Sequence, residues 1–438
     1  MKTKIIKDLL AKEMYSGAGC GEAKAFAFAA ATARKYAPGT ITRVSAEGSA
    51  LFIIGVQTVT IPRTGGRRGG MLAAALGAVN GNADAGLSIL NSVTDEDVVA
   101  ADALICAGKV SVKMDTEVDS PFPAICLKVT VETDKHTASV ELLGGYSNVA
   151  FIEQDGTILK DERNCQPPKG VDVINWTELT VEDIYDYCKT CDIVELQHFK
   201  PFVEETRIAS EDGLKNSYGM QVGRTLKKNV EKGNIAQDEF SYILMFTTAG
   251  IDARMNGSPC PTTGNCGSGS QGHINCAAPI ASGTYRGSSE EDILRAAVFA
   301  TLLNIYMDYS TKEFTYLSPM CYCASFGSVA AAAGVAYLHN FTKEQIIDVL
   351  RTGLCIVPGI ICDGASKATC ALRVHAGLSG ALHAILIVER GLAVGGHEGF
   401  MNDSLEMILH NLRILQRDGM SSVYKVLYSL REEQGNII

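Results

Sequence analysis

Fourteen cysteines are spread over a chain of 438 residues, and the spacing of some of them fits redox, metal or nucleophilic chemistry. Cys188-Lys189-Thr190-Cys191 has the CxxC spacing of a redox or zinc site. It lies in an acidic, helix-patterned segment with no second CxxC to complete four ligands, which favours a structural role. A richer set lies further on: Cys321 and Cys323 in Leu317-Ser318-Pro319-Met320-Cys321-Tyr322-Cys323, then Cys362 and Cys370 in Ile361-Cys362-Asp363-Gly364-Ala365-Ser366-Lys367-Ala368-Thr369-Cys370. Cysteines on loops between packed helices can converge on a cluster, and three thiolates on a [4Fe–4S] cube leave one iron open as a Lewis acid. The same spacing suits small buried side chains, because free Cys is among the most buried residue types. Cys20 precedes an Ala-rich run, and the N-terminal peptide dipoles of a helix there favour a thiolate. It too could be a small core residue.

Two glycine-rich stretches could hold an anion. The loop Gly264-Asn265-Cys266-Gly267-Ser268-Gly269-Ser270-Gln271-Gly272 exposes backbone N–H groups through Gly267 and its neighbours, which can form a carboxylate nest, and Asn265, Ser268 and Gln271 add neutral hydrogen bonds. A tight helix connection would use the same residues. Arg63 and Arg254 are candidate carboxylate partners, since a guanidinium fork suits bidentate pairing; either could instead be a structural ion pair. The run Arg63-Thr64-Gly65-Gly66-Arg67-Arg68-Gly69-Gly70 precedes another Ala-rich helix and reads as an anion-binding loop or a flexible turn.

Composition bounds what such sites could serve. Hydrophobic residues make up 46% and charged residues 20% of the chain, which excludes a disordered or low-complexity protein. The net charge of −10, without a basic run, argues against nucleic acid as a partner. The N-terminus has no apolar core with a small-residue cleavage site, so a cytoplasmic protein with reduced thiols is expected. The uncharged stretch from Phe314 to Thr342 is interrupted by Ser318, Pro319, Ser325, Gly327, Ser328 and Gly334, which predicts a loop and a buried helix with no membrane association.

The elements that must position these residues read as an α+β fold, mainly helical in its C-terminal part. Residues 1–108 are expected to be helices around a short extended segment, Leu51-Phe52-Ile53-Ile54-Gly55-Val56. A period of two from Lys109 predicts a small, mostly antiparallel sheet inserted as a domain over 109–179, with Asp161 to Gly170 as its exit loop. Residues 180–438 read as a helical domain, with helix starts at Thr180, Ser288-Ser289 and Thr342, each followed by acidic first-turn residues.

Beyond these readings, the chain resembles a known family. Ile251-Asp252-Ala253-Arg254-Met255-Asn256-Gly257-Ser258-Pro259-Cys260-Pro261 followed by Gly264 to Gly272 is similar to the signature of the L-cysteine desulfidases, relatives of the bacterial iron–sulfur L-serine dehydratase alpha chain. The Leu317–Cys323 segment, the Cys362 segment ending at Cys370, and Gly419-Met420 match in the same order, and Gly19-Cys20-Gly21-Glu22 resembles the family's Gly-Cys-Thr-Glu-Pro motif. The resemblance implies Cys321, Cys362 and Cys370 as ligands of an oxygen-labile [4Fe–4S] cluster, with Cys323 as the reserve for the first, and Cys20 as base. Three departures bear on the substrate more than on the cluster: Gly21 and Ala23 stand for the family's Thr and Pro, Tyr146 stands for a His, and the Cys362–Cys370 spacing is one residue longer.

The implied activity is β-elimination of a small L-amino acid, with L-cysteine giving pyruvate, ammonia and hydrogen sulfide. Alternatives are a serine, threonine or other β-substituted amino acid ammonia-lyase with the same cluster, a non-catalytic iron–sulfur binding or sensor protein, and a cysteine-rich helical protein without metal. A homodimer is the expected assembly, as two-fold oligomers are the commonest.

Overall fold

The computed structural model describes residues 2–17, 20–57, 59–115, 126–164, 174–311, 319–362 and 367–434. Its first part runs α1 (Lys2–Glu13), β1 (Tyr15–Gly17), α2 (Gly21–Tyr36), β2 (Ile41–Gly48), α3 (Ala50–Gln57), α4 (Gly70–Asn80), α5 (Asp95–Cys106), β3 (Val110–Met114), β4 (Cys126–Thr133), β5 (Thr137–Leu143), β6 (Val149–Gln154) and β7 (Thr157–Asp161). The second part is helical: α6 (Val181–Thr190), α7 (Ile193–Leu196), α8 (Lys200–Lys215), α9 (Val222–Glu231), α10 (Glu239–Met255), the short strand β8 (Thr262–Gly264), α11 (Gly269–Arg286), α12 (Glu290–Thr311), α13 (Ser328–Leu338), α14 (Lys343–Ile356), α15 (Cys370–Glu389), α16 (Leu405–Ile414) and α17 (Val423–Glu433). The class is α+β and mainly helical, as the patterning predicts.

The sheet has the strand order β3-β2-β4-β5-β6-β7, parallel between β2 and β3 and antiparallel elsewhere. Alternation puts Val129, Val131, Val140 and Leu142 on its buried face, where the alanines of α2 pack. Small side chains are needed there, because α4 crosses α2 so closely that a Cβ on Gly77 would lie 2.1 Å from the Ala27 carbonyl oxygen.

Two expectations are corrected. Leu51 to Val56 is helix α3, not an extended segment. Its apolar run has no alternation, and a short continuous apolar run suits a buried helix as well as a strand. The extended piece is β2, ten residues earlier in the chain, whose burial does alternate toward its end. Because β2 lies between β3 and β4, the sheet draws on the segment before 109.

The two hydrophobic cores follow the packing of the elements, not the order of the chain. One joins buried residues from Cys20 to Ile152 with Tyr424 and Tyr428 of α17. The other joins Ile5 to Met14 with residues from Leu179 to Leu412. The chain therefore begins in the helical core, crosses to the sheet layer, returns, and ends on the sheet layer.

The predicted helix starts are capped. Thr180 and Thr342 each close a capping box, and Ser289 Oγ accepts from the Asp292 amide at 3.1 Å. α13 is the buried helix expected in the uncharged stretch, and residues 314–318 of that stretch lie outside the described residues. The segment 165–170 of the expected exit loop and residues 363–366 beside Cys362 also lie outside them. α15 is long and apolar enough to cross a membrane by length and composition, and half of its apolar window is buried inside the protein.

Candidate active site

β1 and β8 pair antiparallel, Tyr15 opposite Gly264 and Gly17 opposite Thr262, and so tie the N-terminus to the signature loop. The Tyr15 ring lies directly on its partner: a Cβ at Gly264 would meet its Cζ at 2.2 Å. β8 leads into a turn in which the Asn265 and Ser268 backbones exchange hydrogen bonds of 3.1 and 2.9 Å, with Cys266 at φ +50° and Gly267 at φ +72°. Two positive φ values in succession are those of a type I′ turn, which strains Cys266 and suits Gly267. Ser268 then caps α11, its Oγ accepting from the Gln271 amide at 3.3 Å.

Above this loop is a cavity of about 760 Å³, and four sequence-predicted residues line it: Cys20, Arg63, Arg254 and Gly267. Tyr15, Lys24, Tyr146 and Gly269 line it too. Arg254 closes the last turn of α10, and its guanidinium lies on Gly269, where a Cβ would be 2.3 Å from Nε. Its Nη1 donates to Ser270 Oγ at 2.9 Å and contacts the Met255 sulfur.

Asn265 and Gln271 are not among the lining residues. They are buried, and Asn265 Nδ2 reaches Asn275 Oδ1 at 3.3 Å while Gln271 Oε1 accepts from Asn304 Nδ2 at 3.1 Å. Their amides hold the loop against α11 and α12, and the Ser268 hydroxyl makes the cap, so this loop offers the cavity the backbone of Gly267 and Gly269, beside the Arg254 guanidinium.

Cys20 is the N-cap of α2 in extended conformation, with no cap hydrogen bond from its side chain. Its thiol instead donates to the carboxylate of Glu22, which is also buried. Lys24 follows one turn later, its amide donating to the Cys20 carbonyl at 3.3 Å. Burial and the neighbouring Arg254 charge push the Lys24 ammonium below the usual lysine value. Burial, followed by the charges of Glu22 and Cys20, pushes the Tyr146 hydroxyl well up.

The thiols predicted as cluster ligands form a second group, and none of them is among the residues lining the cavity. Cys321 ends the short bridge in which Met320 pairs with Ile361; its amide donates to the Ile360 carbonyl at 2.6 Å, and the Cys362 amide donates to the Pro319 carbonyl at 2.8 Å. Cys321 Sγ is 3.4 Å from Cys323 Sγ, in hydrogen-bonding reach of Cys362, and in electrostatic reach of Cys370 at the start of α15. Among the described residues no three His, Cys, Asp or Glu side chains are arranged to hold a single metal ion. A cube needs a wider arrangement, with sulfurs roughly 6 to 7 Å apart.

Tyr424 of α17 lies near both groups. Burial pushes its hydroxyl well up, and the charges of Cys362, Cys321, Tyr322 and Glu22 act in the same direction, so it is within electrostatic reach of the thiols and of the carboxylate bonded to Cys20.

Other expected features have structural partners. Arg295 donates to the carbonyls of Cys188 at 2.8 Å and Cys191 at 3.1 Å, making the CxxC segment a helix end clamped by a guanidinium. Arg67 of the glycine-rich run pairs with Asp102. Burial pushes the Cys126 and Cys276 thiols up to about 12, the behaviour of inert thiols. Sequence reasoning passed over Glu22, Lys24 and Tyr15, although the first two lie two and four positions after Cys20 on a helix that it did predict.

Over residues 84–427 the chain matches the serine dehydratase alpha chain family. It is similar to UPF0597 protein YhaM of Escherichia coli strain K12, 32% identical over 413 residues that cover 93% of this chain and 92% of that one. It is likewise similar to UPF0597 proteins of Shewanella oneidensis, 32% identical over 95% of both chains, and of Dichelobacter nodosus, 30% identical over 94% of this chain and 93% of that one.

Proposed function

This chain belongs to the serine dehydratase alpha chain family, and from that premise we propose that it is a lyase that eliminates the β-substituent of a small L-amino acid, with L-cysteine as substrate and pyruvate, ammonia and hydrogen sulfide as products. The family has an amino-acid dehydratase or lyase-like function and is generally associated with iron–sulfur clusters. The observation that carries the reading is that Cys20 shares one cavity with Arg254 and the α11 loop while its thiol is bonded to a buried carboxylate.

The donors around Cys321 fit a cluster, since its neighbours Cys323, Cys362 and Cys370 are all thiols, the ligand type that selects iron–sulfur centres. Cys321, Cys362 and Cys370 would hold it, with Cys321 in hydrogen-bonding reach of Cys362. When bound, a [4Fe–4S] cluster with one open iron supplies a Lewis acid for the departing sulfur or oxygen.

The chain's own groups do the rest. Arg254 takes the substrate carboxylate, assisted by the backbone of Gly267 and Gly269 at the positive end of α11. Cys20 Sγ takes the Cα proton as its own proton passes to the Glu22 carboxylate, so no net charge is left on sulfur. Tyr146, held neutral by its surroundings, forms a wall with a hydroxyl donor.

One observation favours a second reading, a serine, threonine or other β-substituted substrate. Gly21 and Tyr146, two positions that depart from the family pattern, touch: a Cβ at Gly21 would lie 3.0 Å from the Tyr146 ring. The wall beside Cys20 therefore has its own shape in this chain. The deciding experiment is an amino-acid screen on anaerobically purified protein, reading ammonia release and iron content. Turnover of L-cysteine above all others supports the first reading and of another β-substituted amino acid the second. Iron without turnover of any amino acid would leave a binding or sensor protein.

A further inference from the structure

We infer that Lys24 and Arg254 together form the seat of the substrate's carboxylate, so that Lys24 is a substrate-binding residue. Only the identity of the ligand rests on the lyase reading.

The argument begins with charge. Lys24, Arg63 and Arg254 line the cavity and, among the described residues, no Asp or Glu does, in a chain whose net charge is −10. Several cations elsewhere in this fold are paired: Arg207 with Glu290 at 2.8 Å, Arg295 with Glu291 at 2.8 Å, Arg351 with Asp403 at 3.2 Å. Among the described residues neither Lys24 nor Arg254 has a carboxylate within ion-pair distance. Arg254 Nε is buried without any hydrogen-bond partner. Arg63 stands apart, exposed at the rim at φ +62°.

Packing fixes where the two charges point. The Lys24 ammonium lies against the backbone of Gly17, where a Cβ would be 2.9 Å from Nζ, and the Arg254 guanidinium lies against that of Gly269. Side chains at both glycines would take up the space of the cations, so β1 and the first turn of α11 are shaped to admit them. Two cations brought together out of water repel, and burial with the Arg254 charge lowers the lysine's affinity for its proton. An anion between them removes the repulsion and gives the free Nε an acceptor. A carboxylate suits the pair: it offers one oxygen to the planar fork and one to the point charge.

The position also explains reach. Lys24 and the N-cap residue Cys20 line the same cavity, joined by the first hydrogen bond of α2 and about one turn, ~5.4 Å, apart along the axis. A carboxylate at Lys24 therefore brings the adjacent Cα to the Cys20 thiol.

The test uses the full-length protein purified anaerobically, with L-alanine, which has no β-substituent to lose, and L-alaninamide, which lacks the carboxylate. Binding is read by calorimetry and turnover by ammonia release from L-cysteine, L-serine and L-threonine. Wild type is expected to bind L-alanine and not L-alaninamide. Lys24→Gln is expected to weaken L-alanine binding about 10- to 100-fold, the range for loss of one charged hydrogen-bond partner, and to raise KM more than it lowers kcat. Lys24→Arg should recover much of the affinity, and iron content and melting temperature of both variants should match wild type, which excludes misfolding. Unchanged L-alanine affinity in Lys24→Gln, or no binding of L-alanine by wild type, overturns the seat. Wild type that binds L-alanine but turns over no amino acid overturns the lyase reading and leaves the seat standing.

Discussion

Replacing Glu22 with Gln isolates the step that most distinguishes this cavity from a passive pocket. Gln keeps the shape of the side chain and an acceptor oxygen for the Cys20 thiol, and it removes the charge and the capacity to take a proton. The carboxylate sits in the first turn of α2, where the helix dipole favours a negative group by about 0.3–1 kcal/mol. Losing a charged acceptor costs about 1.5–3 kcal/mol, and relief of burying a charge offsets part of it, so the fold should survive with a small change in melting temperature. Turnover should respond more strongly. If the carboxylate receives the thiol's proton during Cα deprotonation, the same 1.5–3 kcal/mol appears in the barrier, a fall in kcat of roughly 10- to 150-fold. The assay is ammonia release under anaerobic conditions, with the rate of Cys20 alkylation by iodoacetamide as a second readout of the thiol's environment. Turnover within twofold of wild type, with alkylation unchanged, would refute the proton path through Glu22. A variant that loses stability while its residual folded fraction turns over normally would make Glu22 a structural residue only.

Cys20→Ser should keep iron content and visible absorbance while lowering turnover about 10²- to 10⁴-fold, the range for loss of a positioned general base; equal loss of iron and turnover would make Cys20 a ligand. Cys362→Ser should lose both together, measured by iron assay and ammonia release, because two thiolates hold a cube poorly. Gly264→Ala should cost about 1–3 kcal/mol in a denaturant melt, since its Cβ would meet the Tyr15 ring at 2.2 Å, and an unchanged midpoint would show that β1 shifts freely. Asp252 is pushed by burial up to about 7 from 3.8, and its Oδ1 has no partner. The folded state then binds more protons between those values, so stability should fall as pH rises from about 4 to about 7 and stay level above. Asp252→Asn should flatten that slope in melts across the same range, and identical slopes in both proteins would disprove the assignment.

What the sequence could tell about this site depended on how local each determinant is. Cys20 and the helix behind it are written in one run of alanines, and the capping boxes at Thr180 and Thr342 in four residues each. Helical geometry made Lys24 readable as well, because a helix that turns Cys20 toward a cavity turns position 24 the same way. It was passed over because an isolated lysine on an exposed face looks identical in sequence. β1, by contrast, is three residues long and has no strand signal of its own; it exists because Gly264 leaves room for the Tyr15 ring across the ladder. The fate of Asn265 and Gln271 was equally hidden. In a glycine-rich loop an amide can face a ligand or the core, and here the answer is decided by Asn275 and Asn304 on the adjacent helices, which are themselves buried and need partners. α3 failed for the opposite reason, since its apolar run fits two conformations locally and only burial on every side, against α17 among others, selects the helix. The same contact brings Tyr424 within electrostatic reach both of the Glu22 carboxylate and of the thiols of Cys321 and Cys362, a relation between residues some 400 positions apart that no local pattern in the sequence could show.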